Sequence, residues 1–106
     1  MHGWPRLAVR SSGGLKLACA ALALSACGPI QYVSTVTFDA ARTVAEAKSA
    51  RALELAPYEY TGAQEYLHKA RELAGYARFQ EAVRFGRRAK ELALKAKERA
   101  RERANE

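Results

Sequence analysis

The sequence predicts an all-α fold, a short antiparallel bundle of three helices behind a cleaved N-terminal segment. Three observations predict it. From Ala63 to Ala100, apolar and small residues recur every three or four positions, the spacing of one helix face. Pro57 and the run Gly75-Tyr76-Ala77-Arg78 divide the helical pattern into three lengths. Residues 1–26 hold cations and an apolar run but no acid, the composition of an export signal.

Arg6, Arg10 and Lys16 make the basic part of that signal, and Leu17 to Ala26 make its apolar part. A spanning helix needs roughly 20 apolar residues, about twice this run. The run ends in Leu24-Ser25-Ala26-Cys27, which resembles the bacterial lipobox. The small residues Ser25 and Ala26 let a peptidase approach, and the Cys27 thiol receives a diacylglyceryl group before cleavage. Cys27 then becomes the first mature residue, and its new amine is acylated. The competing reading is an unmodified Cys27 after ordinary cleavage at Ala26. Cys19 follows Lys16-Leu17-Ala18, a poor match to the same pattern. Gly28 in place of Asp favours sorting to the outer membrane.

Cleavage changes the composition. The full chain has 106 residues, a net charge of +7, a pI near 9.8 and two cysteines. Of its 18 Lys and Arg, three precede Cys27 and none of its 11 acids do, so the mature charge falls to +4. Cys19 leaves and Cys27 is acylated, so neither a disulfide nor a cysteine metal site is expected. The mature chain is short and rich in alanine, and alanine buries little area. Its expected stability is marginal, which leaves room for a partner or a second copy to complete it.

Residues 27–38 are expected to be the lipidated N-terminus and an extended tether. Gly28-Pro29 blocks a helix, and Val33, Thr35, Val36 and Thr37 favour extended backbone. At ~3.3 Å per residue the tether would reach about 30 Å. Alternatively, it folds onto the bundle through Tyr32 and Phe38. The helical domain spans 39–106. Asp39 suits an N-cap for a helix over about 39–56, with Ala41, Val44, Ala45, Ala52, Leu55 and Ala56 on one side.

The second helix covers about 58–75. Pro57 suits its first position, while Thr61 with Gln64 forms a competing capping-box start. Its stripe is Ala63, Tyr66, Leu67, Ala70, Leu73, Ala74 and Ala77, and Glu65 and Lys69 stand four apart on the other face. Gly75 is placed for a left-handed C-cap. The third helix, about 79–104, has the stripe Phe79, Ala82, Val83, Gly86, Ala89, Leu92, Ala93, Ala96 and Ala100. Gly86 costs roughly 1 kcal/mol relative to Ala in mid-helix, so a neighbour such as Tyr66 is expected above it. The hairpin 58–104 packs antiparallel, with the end of the third helix overhanging.

The third helix is basic: residues 78–106 carry ten Lys or Arg against five Glu. Arg84, Arg87 and Arg88 form the densest cluster. Glu81, Glu91, Glu98 and Glu102 interleave with the cations, so one reading is a solvated face with intrahelical ion pairs. The other is contact with an anionic partner, such as peptidoglycan carboxylates or lipid headgroups. Export argues against nucleic acid. Tyr58, Tyr60, Tyr66 and Tyr76 either seal the hairpin or form an aromatic recognition patch. His68, the mature chain's only histidine, lies opposite the stripe, and no paired metal ligands or phosphate loop occur. No catalysis, metal or cofactor is expected beyond the lipid on Cys27.

The block Ala56-Pro57-Tyr58-Glu59-Tyr60-Thr61 and the stretch 66–83, which opens Tyr66-Leu67-His68-Lys69-Ala70-Arg71, with the basic alanine-rich tail and residues 28–50, resemble the DUF4398 family of uncharacterised bacterial lipoproteins. That resemblance implies a short helical envelope lipoprotein and brings no catalytic residues. Tyr76 and Ala82 around the turn also resemble the packing of one tetratricopeptide repeat, without its tryptophan or glycine–tyrosine pair. Two functions are therefore expected as alternatives. One is a non-catalytic structural or adaptor lipoprotein, anchored to the outer membrane and facing the periplasm, that docks another envelope protein through Tyr58 and Tyr60. The other is peptidoglycan binding through Arg84, Arg87 and Arg88.

Overall fold

The computed structural model describes Leu17 and residues 29–106. The rest of the signal, including Leu24, Ser25 and Ala26, and Cys27 lie outside the described residues. Residues 29–32 are helical and lead into a π-helical segment, Val33–Ala40. Four α-helices follow: α1 (Ala41–Ser49), α2 (Ala52–Leu55), α3 (Pro57–Gly75) and α4 (Phe79–Ala104). There is no strand among the described residues. The all-α fold is as the stripes predict.

The expected extended tether over 29–38 is instead helical. Tyr32, Val36 and Ala40 recur every four residues, and Val36 and Ala40 are wholly buried. The Ala41 N–H donates to the Val36 carbonyl five residues back, the bond of a widened turn. Helix propensity penalises Val or Thr by only about 0.5 kcal/mol per residue, whereas burying one valine returns ~1.5–3 kcal/mol. Burial wins. Of the two residues expected to fold this segment down, Tyr32 does so, with its ring centroid 5.9 Å from that of Phe79. Phe38 points away and is 64% exposed.

Because the chain is already helical before it, Asp39 is not an N-cap. Its carboxylate lies 3.8 Å from Arg42 and 3.6 Å from Lys90. Nor is 39–56 one helix. Arg51 takes left-handed angles (φ 63°), and its N–H donates to the Lys48 carbonyl at 3.0 Å. The break turns Ala52 and Ala56 inward, and Ala45, expected on the packed side, is exposed. Pro57 stands at the start of α3 after an Ala56 with non-helical angles (φ −141°, ψ 59°), so Thr61 lies inside the helix.

The hairpin turn also differs in detail. The left-handed residue is Ala77 (φ 59°), not Gly75, which stays helical. The Arg78 N–H donates to the Leu73 carbonyl and the Ala77 N–H to that of Ala74, the two bonds of a Schellman cap.

Contacts along α4 give the topology. Val36 meets Gly86, Asp39 meets Lys90, Glu46 meets Lys97 and the Leu55 carbonyl meets Arg103. The first helical arm therefore runs parallel to α4. Tyr66 beside Phe85, Gly62 beside Leu92 and Glu59 beside Arg99 show α3 running antiparallel to it. The bundle is up-down-up with α4 at its centre. Arg103 is still in contact with Leu55, so the expected overhang of the last helix does not occur.

Val36, not Tyr66, fills the space at Gly86. A Cβ built there would lie 2.5 Å from Val36 Cγ2, and Val36 is the largest wholly buried side chain among the described residues. Along the same helix Ala82, Ala89, Ala93, Ala96 and Ala100 are all wholly buried on the predicted stripe.

Candidate interaction surface

The first arm covers one side of α4 and leaves the outer face of the α3–α4 hairpin open. On that face the helices approach closely because Gly62 has no side chain: a Cβ there would lie 3.1 Å from Leu92 Cδ1. The result is a groove of about 540 Å³ lined by Pro57, Tyr58, Thr61, Gly62, Glu65, Tyr66, Arg88 and Leu92. Tyr66 packs against Phe85 at 5.8 Å between centroids, and the Arg88 guanidinium sits 6.0 Å above the Tyr66 ring. Arg88 also donates to Glu91 at 2.8 Å. Glu91, then Tyr66, holds its guanidinium above the ordinary arginine range. A half-built aromatic stack with a fixed cation at its rim suits stacking and hydrogen bonding.

The tyrosines divide between the two readings. Tyr58 is 83% exposed at the groove mouth, whereas Tyr60 is 3% exposed in the core. Gln64 donates to the Tyr60 hydroxyl at 3.2 Å. Tyr60 therefore cannot dock a partner, as alternate positions on a helix cannot share a face. Tyr66 is half-buried in the groove, and Tyr76 is exposed at the turn.

The arginine cluster divides as well. Arg88 joins Tyr58 in the groove. Arg84 lies in a second cleft of about 490 Å³ at the turn, lined by Pro29, residues 77–81 and Arg84 itself. Arg87 is exposed between them. Ion pairing accounts for part of the basic helix: Arg78–Glu81 at 2.6 Å and Arg88–Glu91 at 2.8 Å. Arg84 and Arg87 form no ion pair among the described residues. On α3, Lys69 pairs with Glu72 at 3.1 Å rather than with Glu65.

Sequence reading missed Glu59. It is 5% exposed and accepts a hydrogen bond from Arg99, linking the start of α3 to the last turns of α4. Its position four residues before Ala63, in line with the stripe of α3, was the available signal. Among the described residues, no cluster of three or more His, Cys, Asp or Glu could hold a metal, and no helix is long and apolar enough to cross a membrane. Comparisons with family models, curated proteins and solved structures find no match to this chain.

Proposed function

We propose that this protein is a lipid-anchored lipoprotein of the bacterial outer membrane, facing the periplasm, whose helical bundle is a non-catalytic adaptor for another envelope protein. The observation that carries the proposal is Leu24-Ser25-Ala26-Cys27 at the end of a basic-then-apolar N-terminus. The open groove, with Tyr58 at its mouth and Tyr66 under Arg88, supports docking, since exposed aromatics beside a fixed arginine are the residue types on which interfaces concentrate energy. The resemblance of the Ala56–Thr61 and Tyr66–Arg71 blocks to DUF4398 lipoproteins agrees with this reading.

Changing Cys27→Ser tests the anchor. The variant should lose both the mass of the acyl groups and partition into the detergent phase. A variant that keeps both would sink the anchor. A photo-crosslinker at Tyr58 in cells tests the docking face against one at Lys48, exposed on the first arm, none of whose residues line the groove. Equal capture from the two positions would remove the groove from the proposal.

Arg84 and Arg87, exposed and without an acidic partner among the described residues, favour peptidoglycan binding as a second reading. Retention on purified sacculi that salt abolishes, and that Arg84→Ala with Arg87→Ala weakens, would support it over docking to protein.

A further inference from the structure

Lipidation at Cys27 fixes only a point; the fold decides which part of the bundle that point holds. Pro29 lines the turn cleft together with Ala77, Arg78 and Arg84. Tyr32 holds the same segment down through Phe79, 5.9 Å away. Only Gly28 lies between Cys27 and Pro29, two chain steps with a reach of at most about 7 Å. With no long extended tether, the turn end stands at the anchor.

The exposed residues at that end suit a lipid surface. Ile30 is 65% exposed and Tyr76 73% exposed, large apolar bodies that the bundle does not cover. Arg78 is held by Glu81, but Arg84 faces the cleft without an ion pair among the described residues. Apolar and aromatic side chains with arginine beside them match the boundary between acyl chains and anionic headgroups.

We propose that the turn end of the bundle seats on the surface of an anionic phospholipid bilayer, with Arg84 and its cleft taking headgroup phosphates and Ile30 and Tyr76 entering the headgroup–acyl boundary. The proposal rests on lipidation at Cys27. The anchor raises the local concentration of headgroups, so individually weak contacts suffice. The start of α3 then stands roughly 27 Å from the turn, because 18 helical steps of about 1.5 Å separate Pro57 from Gly75. The Tyr58 groove is thereby presented away from the bilayer.

The mature chain has no tryptophan, since the only one, Trp4, precedes the cleavage site. Tyr76→Trp therefore gives a single reporter at the turn, and Leu94→Trp gives one on the far half of α4. Each purified full-length mature protein is first weighed intact, then reconstituted in phosphatidylethanolamine–phosphatidylglycerol vesicles with brominated acyl chains. The expected result is blue-shifted, strongly quenched emission from Tyr76→Trp and none of either from Leu94→Trp. Phosphatidylcholine vesicles, or Arg84→Glu added to Tyr76→Trp, should at least halve the quenching. A lipidated protein with equal quenching at both positions overturns this proposal alone, as does quenching of the Tyr76→Trp variant that is indifferent to headgroup charge and to Arg84. A protein without the lipid mass overturns the anchor and this proposal together.

Discussion

The two halves of α4 are held in different ways. Near the turn, large side chains interlock: Tyr32 on Phe79, Val36 in the notch of Gly86, and Tyr66 on Phe85. Beyond Ala89 the buried stripe is alanine alone, with Leu92 beside Gly62 on the half-buried outer face. There, polar links span the helices: Glu46 to Lys97, Glu59 to Arg99, and the Leu55 carbonyl to Arg103. One methyl buries little, on the order of 0.8 kcal/mol, so alanines allow close approach without fixing which residue faces which. Shape sets the register at the turn end, and charge helps to set it at the far end.

The sharpest test of the shape-held half is Gly86. Leucine there should cost about 3 kcal/mol by overpacking against Val36, read as a lower urea midpoint. Alanine is the finer probe. Its helix propensity favours it by roughly 1 kcal/mol, but its Cβ would sit 2.5 Å from Val36 Cγ2. Val36 cannot easily turn that methyl aside, being β-branched in a helical segment. Gly86→Ala should therefore destabilise in the presence of Val36 and stabilise when combined with Val36→Ala. A stabilising Gly86→Ala in the wild-type background would dissolve the distinction between the halves.

In the alanine half, Ala96→Leu should cost somewhat less, about 2 kcal/mol, because the buried stripe there holds no side chain locked into a notch as Val36 is at Gly86. An effect equal to that of Gly86→Leu would mean that the seam is as rigid as the notch.

This contrast also explains what could be read in the sequence. The stripes of α3 and α4 follow from spacing alone, and Pro57 marks a boundary because its ring forbids alternatives. What faces each stripe does not follow. Val36 lies in a run whose local preference is extended, and only the partner's glycine notch makes helix the better choice. The break at Arg51 carries no glycine, so nothing local announced it; the turn after Gly75 was announced, but its left-handed residue is Ala77 rather than the glycine. The candidate site was half legible. Tyr58 and Arg88 meet in one groove, whereas Tyr60 is core and Arg84 belongs to the turn. Two tyrosines two residues apart look alike in a sequence until the face of the helix is fixed.

Removing a polar link tests the charge-held half. Arg99→Ala leaves the buried Glu59 without its guanidinium, at a cost of about 1–3 kcal/mol. Arg99→Lys should recover only part of it, because a point charge cannot reproduce the fork of donors. If Arg99→Ala and Arg99→Lys melted like the wild type, the alanine seam would be holding itself.

The smallest effect is a pH dependence. Lys97, by hydrogen bond and then by charge, holds the Glu46 carboxyl below its ordinary value of 4.5. A carboxylate with a depressed folded pKa contributes stability above its unfolded pKa and loses it as pH falls through the folded one. Wild type should therefore exceed Glu46→Gln in stability at pH 7, and the gap should close on acidification below about pH 4.5. Comparing the two proteins removes the background from the other carboxylates, which titrate in both. The side chain is 45% exposed, so added salt should narrow the gap at pH 7 as well. Gly86→Ala should respond to neither pH nor salt, because its contact with Val36 is apolar. A gap for Glu46→Gln that stays constant from pH 7 to about pH 3, below the ordinary carboxylate range, would show that Lys97 contributes packing rather than charge, and that both halves of α4 are held by shape.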